Sequence, residues 1–354
     1  MGQAPFSRVM SSLRLPFQAL ALASGAKSFR DNPLIGSRLL NGWGLHVSRV
    51  RLAQTMADWR RRRLTSLLDE SDIAAYRRDG YIVKPDFLPK AQFETLRAEV
   101  LNCRSPARDM IQGDAVTRWV APDKSVLAGM PTYRELIANP YRRALFDYVG
   151  GSRFAQATVI QTIFAHVRQS DDDPQTALHA DTFHPTAKSW LFLTDVAEDE
   201  GPFTYVPGSH RASPERLAWE HEMAIGIATN PDFLSTRGSL RINPETLQAR
   251  GFAPPRRLAV PANTLVIADT FGFHARGRSA RPTVRAEIWT YGRRNPFLPW
   301  TGLDLASLPL LRDNPVTAYW ALLDMRQRIG GRKSPWRLAG PVGPLAEPDL
   351  SIHQ

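Results

Sequence analysis

Leu178-His179-Ala180-Asp181-Thr182-Phe183-His184 is the stretch on which the fold of this chain turns. It sets a histidine and a carboxylate two positions apart, just ahead of Trp190-Leu191-Phe192-Leu193-Thr194-Asp195-Val196, an apolar run that reads as a strand. A second strand lies within Gly201 to His210, closed by the Pro207-Gly208-Ser209-His210 turn. Leu265 to Thr270 reads as another strand and leads into Phe271-Gly272-Phe273-His274, while Arg285 opens a last run, Ala286 to Tyr291. The order is a His-x-Asp pair, strands, a distant His, a turn holding Gly277 and Pro282, an Arg, and a strand.

These residue types point to one chemistry. Two histidines and a carboxylate on one face of a metal leave three neighbouring positions open, which is what a non-haem Fe(II) centre needs to hold an oxoacid through two atoms and O2 through one. His179, Asp181 and His274 are therefore the candidate catalytic and metal-ligating residues. Arg285 follows His274 by eleven positions. If the two lie on neighbouring antiparallel strands facing inward, the guanidinium can fork onto the distal carboxylate of 2-oxoglutarate. A lone histidine beside a strand is more often a hydrogen-bonded structural residue, and that is the expectation for His166, His184 and His210.

The same residues, in the same order, resemble the phytanoyl-CoA dioxygenase family of Fe(II)/2-oxoglutarate oxygenases. The likeness runs over roughly residues 67 to 295, from Ile73-Ala74-Ala75-Tyr76-Arg77-Arg78-Asp79-Gly80-Tyr81-Ile82-Val83, similar to the family's opening helix and first strand, to Arg285. The resemblance implies metal ligation by His179, Asp181 and His274, and cosubstrate binding by Arg285. Gln161, in Val159-Ile160-Gln161-Thr162, resembles a strand glutamine that touches the cosubstrate in some relatives. The implied reaction is hydroxylation of a C–H bond with Fe(II), 2-oxoglutarate and O2, releasing succinate and CO2. Related halogenases carry a small residue in place of Asp181, which argues against halogenation. Two positions depart from the family's prototype: Arg276 replaces a small hydroxyl residue and Leu193 a tryptophan, so an acyl-CoA substrate is not carried over.

The expected fold is mainly β with flanking helices: a double-stranded β-helix, or jelly roll, whose mouth gathers inward residues from facing strands. Ser71 to Arg78 reads as a helix with Ser71 as N-cap, Tyr81 to Pro85 as a strand, and Pro89 to Asn102 as a helix with Glu94 and Glu99 outward. Gln156 to Val167 alternates as a strand with one face inside the barrel. The segment Pro214 to Arg257 is a long insertion, helical over Ala218 to Ile227, of a length that often serves as a lid or binding loop. The expected organisation is a basic N-terminal extension (1–66), the oxygenase domain (67–295) and a helical C-terminal extension (296–354).

The net charge of +11 is unevenly placed: residues 1 to 63 hold eleven Lys and Arg against Asp31 and Asp58, and so nine of those charges. Ile35, Leu39, Trp43, Val47 and Val50 recur at helical spacing among them, although Gly42 and Gly44 weaken such a helix. A basic amphipathic segment with aromatics suits an anionic membrane surface, and the mixture of Trp320, Met325, Arg326, Arg328, Arg332, Lys333, Trp336 and Arg337 could add to it. The alternative is that both ends pack on the barrel. The Arg-rich bias, 39 Arg to 6 Lys, and the single Cys103, which allows no intrachain disulfide, fit a bacterial cytoplasmic protein, peripheral on the inner face of the membrane if the basic segment binds lipid.

A membrane-leaning N-terminus favours a lipid, fatty-acyl or lipid-linked substrate, with Arg276, Arg278 and Arg281 near an anionic head group; small soluble acids are the other class. Two rival functions come from other classes. A basic nucleic-acid-binding protein would suit the charge, but no helix-turn-helix, zinc-finger or RRM signature is present. A catalytically silent jelly-roll scaffold would not need an intact metal set.

Overall fold

The computed structural model describes residues 16–153, 155–171, 173–302, 315–331 and 334–353. Eleven strands are named here in chain order: β1 (Tyr81–Lys84), β2 (Ser105–Gln112), β3 (Ala115–Val120), β4 (Ala157–Ala165), β5 (Ala187–Phe192), β6 (Phe203–Tyr205), β7 (Arg256–Leu258), β8 (Leu265–Asp269), β9 (His274–Arg276), β10 (Thr283–Gly292) and β11 (Arg337–Val342). Eight of them form one antiparallel sheet in the order β1-β8-β5-β10-β4-β3-β2-β11, and three form a smaller one, β7-β6-β9. Two facing antiparallel sheets flanked by helices make the double-stranded β-helix that the sequence led us to expect.

The period of two along each strand builds the two sides of the large sheet. Ala286 and Ile288 of β10, Ile160 of β4, Leu191 of β5 and Ile267 of β8 face the helices, where they pack with Phe93, Leu96, Leu145 and Phe146. Their alternates Trp289, Val159, Trp190, Phe192 and Val266 face the small sheet and meet Phe203, Tyr205 and Leu258. Arg285, Glu287, Gln161 and Lys188 occupy inward positions of the same strands. The register sets Glu287 opposite both Gln161 and Phe192, and Trp289 opposite Trp190.

Several expected boundaries shift. The first helix after the N-terminal segment runs Glu70–Asp79 with Asp69, not Ser71, at the N-cap. It ends at Gly80 with φ +88°, where a Cβ would lie 2.5 Å from His210 Nδ1, so only glycine fits. Glu99 does not point outward into water; its carboxylate accepts the Thr132 and Tyr133 amides and caps the helix Pro131–Ala138. His274 and Arg285 are not on neighbouring strands: β9 belongs to the small sheet and β10 to the large one, and the two residues line one cavity from different sheets.

Nor is the segment from 214 to 257 a free lid. Its helices Pro214–Gly226 and Pro244–Ala249 bury Trp219, Ala224 and Leu247 against Phe29, Ile35 and Phe273. The N-terminal extension supplies part of that core, and the single apolar helical face expected there does not form. Gly44, at φ +91°, separates a short helix, Arg38–Gly42, from Leu45–Arg61. Ile35, Val47 and Val50 are buried while Leu39 and Trp43 are 62% and 74% exposed. Three of the segment's arginines are buried and spent on carbonyls: Arg49 donates to Leu22, Ser24 and Ala26, Arg60 to Gly151, Pro296 and Leu298, and Arg61 to Tyr148 and Val149. No helix among the described residues is long and apolar enough to cross a membrane.

The C-terminal extension is not purely helical. The helix Pro315–Gly330 sends Val316 and Trp320 into the inter-sheet core, and β11 then pairs with β2 at the sheet edge. Arg8, Arg14, Arg332 and Lys333 lie outside the described residues.

Candidate active site

His179 and His274 are brought together by backbone pairing. Each donates its amide to the other's carbonyl at 2.9 Å, an antiparallel bridge between the His-x-Asp stretch and β9. Residues directly opposite in such a bridge send their side chains to the same side, and the two rings lie 4.5 Å apart. Asp181 is fixed from its own backbone, its amide bonding Thr270 O at 2.9 Å.

Each imidazole is oriented by its Nδ1, which donates to a carbonyl: His179 to Ala177 O at 2.8 Å and His274 to Gly272 O at 2.9 Å. That leaves the Nε2 lone pair of each ring for a metal. His274 Nε2 is buried with no hydrogen-bond partner. The Asp181 oxygens lie 3.7 Å from each Nε2, and one ligand atom from each of the three residues falls within 4.8 Å of the others.

The protonation states also suit a metal. Burial, aided by the neighbouring imidazole, pushes His179 down to about 3, and burial pushes His274 down to about 4, so both rings are neutral at pH 7. Burial acts to raise the Asp181 carboxyl, but Lys188, His274 and His179 together hold it well below the usual carboxylate range. Neutral histidines and an ionised carboxylate are the forms that bind a divalent cation. A buried, unpartnered Nε2 aimed at a carboxylate is what Fe(II) would satisfy.

Two lysines bracket Asp181. Lys188 of β5 places Nζ 2.6 Å from Oδ2, an ion pair that is not aligned as a hydrogen bond. Lys27, from the N-terminal segment, donates to the Asp181 backbone carbonyl from the other side. Burial pushes the Lys27 ammonium down to about 8.

His179 and His274 line a cavity of about 160 Å³ between the sheets, walled by Trp119, Gln161, Trp190, Phe192, Trp289 and Trp336 and reached by Arg285. Arg285 is 8% exposed; its Nη1 donates to Gly201 O at 2.6 Å and its Nε faces Glu287 Oε2 at 3.0 Å. Gln161 lines the wall, and its amide is engaged at both ends. Nε2 donates to Glu287 Oε1 at 2.5 Å and Oε1 accepts the Trp119 indole at 2.7 Å. Trp119, Gln161, Glu287 and Arg285 therefore form one chain of contacts across three strands. Arg276 is tied to Asp173 at 2.5 Å and to Thr117 at 3.2 Å.

The expected structural histidines stay out of the metal group. His184 bonds Pro185 O at 3.0 Å, His166 pairs with Asp114 at 2.9 Å, and His210 packs on Tyr76. Arg281 pairs with Asp199 and Glu200 on the surface.

Residues 76–230 match the family described as phytanoyl-CoA dioxygenase, so the stretch that carries His179 and Asp181 lies inside the match. Over that stretch the chain is similar to this family of oxygenases. His179, Asp181 and His274 form a group that could hold a metal ion.

No curated protein matches the chain. Among solved structures it is similar to the non-haem α-ketoglutarate-dependent epimerase SnoN from nogalamycin biosynthesis, at 20% identity over 77% of this chain and 94% of that one, with a TM-score of 0.42. It is similar also to the carbocyclase SnoK from the same biosynthesis, at 19% identity over 64% and 84%, TM-score 0.37. A third is HygX from Streptomyces hygroscopicus with nickel, 2-oxoglutarate and hygromycin B bound, at 15% identity over 70% and 95%, TM-score 0.37. Likenesses this distant say nothing of the substrate here.

Four residues of this phytanoyl-CoA dioxygenase-like site escaped the sequence reading. Lys188 shares the inward period of Trp190 and Phe192, and Glu287 that of Arg285 and Trp289, so strand alternation held a signal for both. Lys27 and Trp336 lie in the two extensions, far along the chain from anything they touch.

Proposed function

We propose that this chain hydroxylates a C–H bond of a small organic substrate bound between the two sheets, using Fe(II), 2-oxoglutarate and O2 and releasing succinate and CO2. The observation that carries the proposal is the convergence of His179, Asp181 and His274, with His274 Nε2 buried and unpartnered, on the cavity that also holds Arg285. Fe(II) held by these three residues would supply the redox chemistry that couples oxidative decarboxylation of 2-oxoglutarate to substrate oxidation.

The chain's own groups do the positioning. The carbonyls of Ala177 and Gly272 fix the tautomer of the two imidazoles. Arg285 offers a buried guanidinium for the distal carboxylate of 2-oxoglutarate, and Glu287, itself held by Gln161, sets the angle of that guanidinium. Gln161 thus acts on the cosubstrate through Glu287. The indoles of Trp119, Trp289 and Trp336 wall the cavity and keep bulk water from the oxidising centre.

The wall supports a substrate with an apolar face. Lys188, Arg276 and Arg285 each already have a carboxylate, in Asp181, Asp173 and Glu287. A lipid or lipid-linked substrate presented at a membrane is the second reading, and one observation favours it: the N-terminal segment leaves Phe17, Leu20, Leu39 and Trp43 exposed among its basic residues.

Anaerobic titration of the purified protein with Fe(II) tests the first reading. One equivalent is expected to bind, and His179→Ala, Asp181→Ala and His274→Ala are each expected to nearly abolish binding along with succinate release. Unchanged stoichiometry and affinity in all three variants would refute the metal assignment. Co-sedimentation with anionic vesicles, weakening as salt rises, tests the second.

A further inference from the structure

A facial set of two histidines and one carboxylate works as an oxygenase centre only if the carboxylate takes a single coordination position. Two histidine nitrogens and one oxygen leave three positions of six, two for 2-oxoglutarate and one for O2. A carboxylate has two oxygens and can bind through either one or both. Were both oxygens of Asp181 to bind, a fourth position would be filled and the three that the reaction needs would not remain.

In this chain a specific residue occupies the second oxygen. Lys188 is on β5, two positions before Trp190, and points inward from the large sheet into the cavity. Its Nζ lies 2.6 Å from Asp181 Oδ2; each carboxylate oxygen has one imidazole Nε2 at 3.7 Å, His179 at Oδ1 and His274 at Oδ2, so the ammonium is what distinguishes the two oxygens. The backbone that carries this carboxylate is held from both sides. The Asp181 amide is bound to Thr270 O, and Lys27 holds the Asp181 carbonyl from behind. An ammonium has three donors and no acceptor, so it competes with a metal for the oxygen and can never add a ligand of its own while charged.

We infer that Lys188 is a positioning residue that withdraws Oδ2 of Asp181 from the metal, so that the carboxylate ligates through Oδ1 alone and three positions stay open. The inference rests on the metal site proposed above. It has an electrostatic corollary that separates it from an ordinary packing role. A cation this close to a dication opposes metal binding, so Lys188 holds metal affinity below what the ligands alone would give.

Co(II) tests this in the full-length protein, because its visible absorption responds to the number and arrangement of ligands. The variants are Lys188→Met, which keeps the length and removes the charge, and Lys188→Arg, which keeps a donor for Oδ2. For Lys188→Met the expected result has three parts: a Co(II) spectrum altered before any cosubstrate is added, Co(II) affinity equal to or up to about tenfold above wild type, and 2-oxoglutarate affinity for the Co(II) protein lowered about tenfold or more. Lys188→Arg is expected to restore the wild-type spectrum. A fall in Co(II) and 2-oxoglutarate affinity together would overturn the inference in favour of a general loss of structure. A fall in 2-oxoglutarate affinity with an unaltered Co(II) spectrum would overturn it in favour of direct contact between Lys188 and the cosubstrate. If the wild-type protein bound no Co(II) at all, the metal site itself would fall, a result distinct from both.

Discussion

Arg285 is held by a partner that changes what its removal means. Glu287 is fully buried, and its second oxygen has only the Arg285 Nε before it. Replacing Arg285 with Leu should therefore do two things: weaken 2-oxoglutarate binding by roughly 2–5 kcal/mol, the cost typical of truncating a buried charge pair, and destabilise the fold by leaving Glu287 unpaired. A second variant, Arg285→Leu with Glu287→Leu, separates the two. It should recover most of the lost stability in urea unfolding while the cosubstrate defect stays. Recovery of 2-oxoglutarate affinity in the double variant would mean that Arg285 never held the cosubstrate. Iron affinity measured without cosubstrate should move little in either.

At the scale of elements, the question is what the N-terminal segment is for. Its charge pattern reads as a membrane anchor, and on that reading removing residues 1 to 63 should leave turnover intact. The structure points to the opposite outcome. The helix Leu45–Arg61 carries Arg60 and Arg61, whose guanidinium groups satisfy carbonyls of Tyr148, Val149, Gly151, Pro296 and Leu298. Arg61 also reaches Asp269 at 3.2 Å, and Asp269 accepts the Thr186 and Phe271 amides on either side of the site. Truncation at residue 63 is expected to lower the thermal midpoint sharply and to lose Fe(II) binding. A truncated protein of wild-type stability and iron affinity would show the segment to be dispensable to the site. The single change Lys27→Met is expected to weaken Fe(II) binding with little effect on the unfolding midpoint, and Lys27→Arg to restore it in part.

The same segment shows where the sequence could and could not be read. His179, Asp181, His274 and Arg285 were legible because metal ligands must be of a few residue types, and the strands that carry them announce themselves by apolar runs. The two-layer β architecture was legible for the same reason, through the apolar runs of β5, β8 and β10 and the alternation in β4. Partners chosen by three-dimensional proximity alone were not. Lys27 is 154 positions from Asp181, and Arg61 is 208 from Asp269. A buried arginine that ties down carbonyls looks, in sequence, like a surface charge. The condition that His274 and Arg285 lie on neighbouring strands is not met, because a turn of six residues between antiparallel strands looks like a hairpin whether or not the strands pair.

For the molecule as a whole, burial of histidine sets the pH dependence. His179, His184 and His210 are pushed down to about 3 and His274 to about 4, in each case mainly by burial. In the unfolded chain they titrate near 6.5. A group whose pKa is lower folded than unfolded stabilises the fold above its unfolded pKa, and that stability is lost as pH falls toward the folded value. Each histidine should therefore cost about 1.4 kcal/mol per pH unit below roughly 6.5. Asp269 works against this: burial raises its carboxyl to about 6, so the cost of keeping it ionised is relieved as pH drops from there toward 3.8, offsetting roughly one histidine over that range. The balance leaves the metal-free protein expected to lose stability steadily from pH 7 to pH 5, read as a falling urea midpoint. With Fe(II) bound the slope should be steeper, because protons then compete with the metal for His179 and His274. A midpoint flat or rising over that interval would show that these histidines are not buried in their neutral form, and the fit of the triad to a metal would lose its electrostatic basis.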